Sequence, residues 1–124
     1  IWNNPAGHQA HLGHKVQVLR DHCRVVGREP DSIRVSQQCL VLITEREADV
    51  EPMLQRAEQL FGGHMGDVRG PLAIAGTPEA VAERIQRHID LGCTHFVIEF
   101  FGRDTRVPAR LFAETVMPRF RARS

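Results

Sequence analysis

Residues 73–119 constrain the fold most, because strands and helices alternate there with clear boundaries. The first helix opens at Gly76-Thr77-Pro78, where Thr77 suits an N-cap and Pro78 suits the first helical position. Gly92 ends this helix, residues 94–101 form a strong strand, and residues 108–119 return as a second helix. The order strand, turn, helix, strand, helix predicts a parallel α/β sheet.

The preceding residues continue the same alternation. Apolar side chains recur at helical spacing in residues 13–26, and a strand rich in Val, Ile and Leu follows at 33–44. Near-continuous apolar character over residues 39–43 predicts burial on both faces, as in parallel sheets. An amphipathic helix at 48–60 leads into a glycine-rich loop at 61–71. Right-handed crossovers then place the strands 33–44 and 94–101 side by side.

The number of strands indicates an incomplete unit. Two main parallel strands with about four helices cannot enclose the core of a parallel sheet, whose strands are covered on both faces. The chain also begins with Ile1-Trp2-Asn3-Asn4, which we interpret as the end of a strand that starts upstream. We therefore expect residues 1–124 to be the carboxyl-terminal part of one larger barrel domain.

Composition excludes several classes of protein. The chain has 124 residues, 42% hydrophobic and 25% charged, as in globular domains. A net charge of +1 gives no field that would steer nucleic acid or an anionic membrane to the surface. The cysteines Cys23, Cys39 and Cys93 are odd in number and form no CxxC pair, so neither a disulfide framework nor a zinc site is predicted. A reducing cytoplasm fits this pattern, and no apolar run is long enough to span a bilayer.

Sequence motifs for metal binding or nucleophilic catalysis are lacking. His8, His11 and His14 recur at three-residue intervals, but residues six apart on a helix point in different directions. No Cys or carboxylate accompanies them at ligand spacing, so we predict no native metal site. The sequence contains no GxSxG, HExxH or Cys-His signature. No nucleophile–base constellation can be derived from it.

The strand at 94–101 has two different faces. One face is wholly apolar and should pack against helices: Phe96, Ile98 and Phe100. The other face carries polar groups two residues apart: His95, Val97, Glu99 and Phe101. In an eight-stranded barrel this second face points inward, and Glu99 lies near the carboxyl end of the strand, where such enzymes place their chemistry. Glu99 is the candidate catalytic residue. The alternative is a carboxylate paired inside the barrel or solvated at its rim, and His95, which lies deeper, is expected to be a satisfied interior histidine.

The loops after the two main strands, residues 45–49 and 102–107, would line the mouth of the same barrel. Arg103 and Arg106 lie in the second loop and are candidates for binding an anionic cofactor tail or substrate. The alternative for both is an ordinary solvated arginine.

Several segments together resemble the luciferase-like monooxygenase superfamily, and within it the deazaflavin-dependent oxidoreductases. In the first half these segments are Trp2-Asn3, residues 14–23 and residues 26–33, which include Gly27-Arg28-Glu29-Pro30-Asp31. In the second half they are residues 74–81, 92–96, 111–114 and 117–118. The segments cover nearly the whole chain and follow the order of the family.

The resemblance implies a TIM-type (β/α)8 barrel that binds FMN or the deazaflavin coenzyme F-420 at the carboxyl ends of its strands. Its chemistry would be hydride transfer, or oxygen activation by a reduced flavin. The chain would match the end of strand six through helix eight. Trp2 and Asn3 then fall nearest the cofactor and are candidate cofactor-binding residues, whereas no catalytic residue transfers. The implied partners are the N-terminal part of the barrel or a second copy, together with a small-molecule substrate.

Three hypotheses follow. The first is the carboxyl-terminal portion of a cytoplasmic flavin- or deazaflavin-dependent oxidoreductase, inactive alone and unable to bind the cofactor tightly. The second is a truncated, non-enzymatic α/β module that dimerises or binds a partner through its exposed sheet face. The third is a self-contained small α/β domain whose two strands pair in a new way.

Overall fold

The structure, a computed structural model, describes residues 1–121. It contains a sheet of four parallel strands and four α-helices. In chain order these are β1 Trp2–Asn4, α1 Leu12–Val25, β2 Val35–Ile43, α2 Val50–Phe61, β3 Ile74–Gly76, α3 Pro78–Asp90, β4 His95–Phe100 and α4 Arg106–Thr115. Short 3-10 turns occupy Ala6–His11, Pro30–Ser32, Glu47–Asp49 and Met117–Phe120. The predicted alternation of strands and helices is confirmed, with two long strands, β2 and β4.

Strand β2 is the centre of the sheet. It pairs in parallel with β4 from Ser36 to Val41, with β1 at its start and with β3 at its end. Strand β4 pairs with a stretch of β2 that reaches the residues paired with β1 and with β3. Both short strands therefore lie on the other edge of β2, with β1 beside its start and β3 beside its end. The prediction that the two long strands lie side by side is therefore confirmed. The second edge of β4 has no strand partner within residues 1–121.

Three helices cover one face of the sheet. Helices α3 and α4 pack on the odd-numbered side chains of β2, such as Val41, and α1 packs near the start of the same strand. Phe96, Ile98 and Phe100 of β4 join this core, as their alternation predicted. This surface is the helix face.

The opposite face is covered only in part. Leu40 and Leu42 of β2 lie there and are buried by Met53 and Leu54 of α2. Strand β2 is thus buried on both faces, as its apolar run predicted. Helix α2 does not extend over β4, whose alternate side chains His95, Val97 and Glu99 are exposed. These three side chains define the open face.

The expectation for His95 was wrong. Its side chain is exposed, and ring Nδ1 lies 2.8 Å from the Thr94 hydroxyl. The reason is that no other element of the described chain lies over the open face at this depth.

The helix ends follow the sequence signals in position. Helix α3 starts at Pro78 after Thr77, although the Thr77 side chain makes no capping hydrogen bond. Gly76 precedes it with φ +132°, and a Cβ there would lie 2.9 Å from the Ala80 Cβ, so glycine is required. The helix predicted at residues 108–119 ends at Thr115, and the 3-10 turn Met117–Phe120, which contains Pro118, follows it.

The three cysteines are free and buried, as small hydrophobic side chains. Burial, with Cys93 as a further contribution, raises the pKa of the Cys39 thiol to about 12. Among the helices in residues 1–121, none is both long and apolar enough to cross a membrane.

Candidate active-site cleft

An open cleft of about 1520 Å³ lies at the carboxyl ends of β2 and β4. Its walls are α2 on one side and α4 on the other, and the loops after the two strands form its rim. Glu99, Arg103 and Arg106 all line it. The structure therefore brings three of the five predicted site residues to one place, at the edge where parallel α/β sheets bind their ligands.

The cleft has apolar walls. Phe101, directly after β4, lies edge-on to Phe61 of α2 with ring centroids 6.1 Å apart. Leu60 on α2 is 71% exposed and Val107 on α4 is 67% exposed, and both line the cleft. Such apolar surfaces around a concave site favour a ligand with a flat or aliphatic body.

Arg106 is held by a neighbouring carboxylate. Its Nε lies 2.9 Å from Asp104 Oδ1 and its second terminal nitrogen lies 3.0 Å from Oδ2, a bidentate pair. These hydrogen bonds lower the pKa of the Asp104 carboxyl and raise the pKa of Arg106. The Asp104 carboxylate thus occupies two of the nitrogens of Arg106, while the Arg106 side chain itself stays 88% exposed at the rim of the cleft.

Arg103 is differently placed. It lines the cleft, and within residues 1–121 it forms no ion pair and no side-chain hydrogen bond. Three further arginines of the cleft share this property: Arg46, Arg56 and Arg110. Four carboxylates without an ion pair in the described chain accompany them: Glu45, Asp49, Glu99 and Glu114. The cleft thus offers charges of both signs to a ligand and no net excess of either.

Sequence reasoning missed Arg56 and Arg110 because both lie on helices, where an arginine normally faces solvent. The available signal was their spacing. Arg56 follows Pro52 by four residues and precedes Leu60 by four, which places all three on one face of α2. Arg110 stands in the same way between Arg106 and Glu114.

Trp2 and Asn3 lie away from the cleft. They pair with Val35 and Ser36 at the start of β2, whereas Glu99 pairs with Leu40 near its end. Trp2 packs in the apolar cluster under α1, on the helix face. Asn3 is exposed beside the open face. Their roles in cofactor binding stay predictions.

Buried polar groups anchor the 3-10 turn after β1. Gln9 donates from Nε2 to the Leu72 carbonyl at 2.9 Å and lies 3.0 Å from His88 Nε2. His88 is fully buried on α3, and its Nδ1 lies 2.7 Å from the Arg84 carbonyl. This geometry fits a neutral imidazole that donates from Nδ1 and accepts at Nε2. Burial lowers the pKa of His88; the hydrogen bond to the Arg84 carbonyl opposes this effect, and the nearby Arg84 charge adds to it.

A metal centre is not evident in residues 1–121, where no three His, Cys, Asp or Glu side chains converge. Nδ1 of His8 instead lies 2.6 Å from Lys15 Nζ.

Three solved structures share the fold along nearly all of the chain. The monooxygenase RslO1 from Streptomyces bottropensis matches with a TM-score of 0.71 at 17% identity, over 96% of this chain and 41% of its own. The coenzyme F-420-dependent tetrahydromethanopterin reductase from Methanopyrus kandleri matches at 0.68 and 20% identity, over 96% and 45%. Riboflavin lyase RcaE, solved with modified FMN and riboflavin, matches at 0.67 and 15% identity, over 95% and 37%.

These matches define the fold. The chain has the α/β fold of part of each of these three structures, so the resemblance found in the sequence is confirmed at the level of the fold alone. The chain spans less than half the length of each matched structure. No protein-family model matches the sequence, and no curated protein matches it.

Proposed function

We propose that this chain is the carboxyl-terminal portion of a cytoplasmic flavin- or deazaflavin-dependent oxidoreductase of the luciferase-like kind. It corresponds to the end of strand six through helix eight of the barrel and is inactive alone. The observation that carries this proposal is the cleft at the carboxyl ends of β2 and β4, within a fold shared with the matched enzymes. The free edge of β4 and the exposed open face support it, because neither is covered in the described chain.

The cleft suits part of the site for a flavin or deazaflavin. Phe101 and Leu111 offer apolar contact to a flat ring, and Arg103 offers a charged donor to an anionic tail. FMN or coenzyme F-420, when bound to the intact protein, supplies the hydride-transfer chemistry. The two long strands provide about a quarter of the wall of an eight-stranded barrel, so the chain alone cannot preorganise such a ring.

The predicted residues take unequal roles in this proposal. Arg103 binds an anionic group of the cofactor or substrate, and Arg106, paired with Asp104, shapes the loop that presents Arg103. Glu99 projects from the open face into the cleft, where it positions the substrate or exchanges a proton with it. We assign the cofactor contact from the strand preceding β2 to Asn3, which is exposed beside the open face, whereas Trp2 packs on the helix face and supports that strand. The remaining contacts come from the N-terminal part of the barrel.

Titration with FMN and with reduced coenzyme F-420 tests this proposal. The purified chain should bind neither tightly and should show no turnover, whereas a protein that supplies the rest of the barrel should bind one of them. In that longer protein, Arg103→Ala should weaken cofactor or substrate binding about tenfold through the lost charged hydrogen bond. Arg34→Ala, an exposed arginine outside the cleft, is the matched control.

Two outcomes would refute the proposal. One is micromolar cofactor binding with turnover by the chain alone, which would mean that its own residues complete the site. The other is a longer protein whose flavin binding responds equally to Arg103→Ala and Arg34→Ala.

A further inference from the structure

The free edge of β4 presents unpaired backbone groups. Phe101 donates its amide to the Val41 carbonyl of β2 at 3.0 Å. Successive amides of an extended strand point to opposite edges, so Phe96, Ile98 and Phe100 turn theirs toward the free edge. An exposed edge of this kind is a template for another strand.

The side chains of β4 are complementary to a second copy of β4 in the antiparallel direction. When Val97 stands opposite Val97 of the second copy, His95 stands opposite Glu99 on either side. The central pair is apolar, and Val97 is 56% exposed in the single chain. The flanking pairs join an imidazole to a carboxylate, twice by symmetry.

The same register satisfies the backbone. Phe96 of one copy faces Ile98 of the other, and both turn their amides to the shared edge, so these residues exchange hydrogen bonds. Val97 with its counterpart, and His95 with Glu99 of the other copy, are then non-hydrogen-bonded pairs. In pairs of this kind the facing side chains approach most closely. His95 is free for this contact. Only its Nδ1 is engaged, with the Thr94 hydroxyl, and its Nε2 has no hydrogen-bond partner in residues 1–121.

We propose that the chain, by itself, forms a two-fold dimer in which the β4 edges pair antiparallel about Val97. The two four-stranded sheets become one continuous sheet. The occupant of the edge is a second copy because the side-chain pattern of β4 is self-complementary in apolar contact and in charge. This inference does not depend on the proposed catalytic function.

Sedimentation equilibrium of the isolated chain tests the dimer. The wild type should show twice the chain mass of 14.0 kDa at high concentration and dissociate on dilution. Val97→Lys places two ammonium groups opposite each other and should raise the dimer dissociation constant at least about tenfold. Val25→Lys is the matched control, because Val25 is 83% exposed on α1, away from β4, and should leave the dissociation constant unchanged.

A charge-exchange series tests the register. His95→Glu places carboxylates opposite each other, and Glu99→Lys places an ammonium opposite an imidazole, so each should weaken the dimer several-fold. The double variant His95→Glu with Glu99→Lys restores opposite charges across the interface and should recover the wild-type dissociation constant. Within one chain the two positions are about 13 Å apart, so a purely intramolecular effect cannot produce this recovery.

Circular dichroism of each variant separates weakened association from failed folding. If Val97→Lys does not fold, the double variant His95→Glu with Glu99→Lys still tests whether the β4 edges pair. A monomeric wild-type chain would overturn the proposal. So would a dimer that tolerates Val97→Lys, or a charge series in which the double variant is no better than the single ones. Protection of the Ile98 amide from exchange in a monomer would show that a strand of the same polypeptide occupies the edge, and this result would also overturn it.

Discussion

Strands β2 and β4 are neighbours in one parallel sheet, yet their surroundings differ. Eight of the nine residues of β2 are buried, because it has strands on both edges and helices on both faces. Strand β4 alternates between exposed and half-buried residues, because it has one strand neighbour in the described chain and is covered only on the helix face. The comparison shows that burial of a strand in this fold is set by its neighbours as well as by its own sequence. It also shows where a missing neighbour would bind.

Core truncations should give the largest contrast between the two strands. Leu42→Ala in β2 removes a side chain that is 1% exposed and should lower the free energy of unfolding by about 2–5 kcal/mol. Val97→Ala in β4 should change it by less than about 0.5 kcal/mol in the monomer. Urea unfolding at a concentration where the chain is monomeric measures both. Similar losses for the two variants would show that the open face is covered.

The next largest effect should be the pH dependence of the free energy of unfolding, which we expect to come from the buried His88 of α3. Burial lowers the pKa of His88, so the unfolded chain binds a proton that the folded chain resists. The stabilisation that neutral His88 gives to the folded chain is therefore fully present above the ordinary histidine pKa of about 6.5. It is lost as the pH falls below that value toward the lower pKa that His88 has in the folded chain. Unfolding measured between neutral and mildly acidic pH should show this loss.

The matched variants isolate that effect. His88→Gln should flatten the acid-side loss of stability, whereas His14→Gln, at an exposed position of α1, should leave the slope as in the wild type. Identical slopes in the wild type and in His88→Gln would contradict the assignment of a neutral buried imidazole.

The smallest effect should come from the segment that covers the second face of β2. Arg69 binds Glu51 through two nitrogens, at 2.6 and 2.9 Å, and Glu58 at 3.0 Å, and so fastens the loop of residues 62–73 to α2. Arg69→Ala should speed proteolysis within this loop, more at low salt than at high salt, with little change in global stability.

The control for this loop is Arg34→Ala, at an exposed arginine directly before β2. Equal cleavage rates in the two variants would mean that other contacts hold the loop in place, such as the buried Val68 and the hydrogen bonds from Arg84 to carbonyls of residues 70–73.

Much of the fold could be predicted from local pattern. The apolar run of β2, the alternation of β4 and the Thr77-Pro78 helix start each depend on neighbouring residues, and each element formed near its predicted position. The exposure of His95 could not be predicted, because it depends on whether another element covers the open face. The same distinction between local pattern and surrounding structure applies to the residues of the cleft. Arg103 reached the cleft because loops after parallel strands share one edge, whereas the pairing of Arg106 with Asp104 depended on side-chain geometry that spacing does not fix.

Amide hydrogen exchange across a dilution series tests the contrast between β2 and β4 most directly. The account predicts that the amides of Val41 and Leu42 exchange slowly at every concentration. Those of Phe96 and Ile98 should exchange fast in the dilute monomer and become protected only as the chain associates. Slow exchange of Phe96 and Ile98 at the lowest concentration, equal to that of β2, would contradict an open edge.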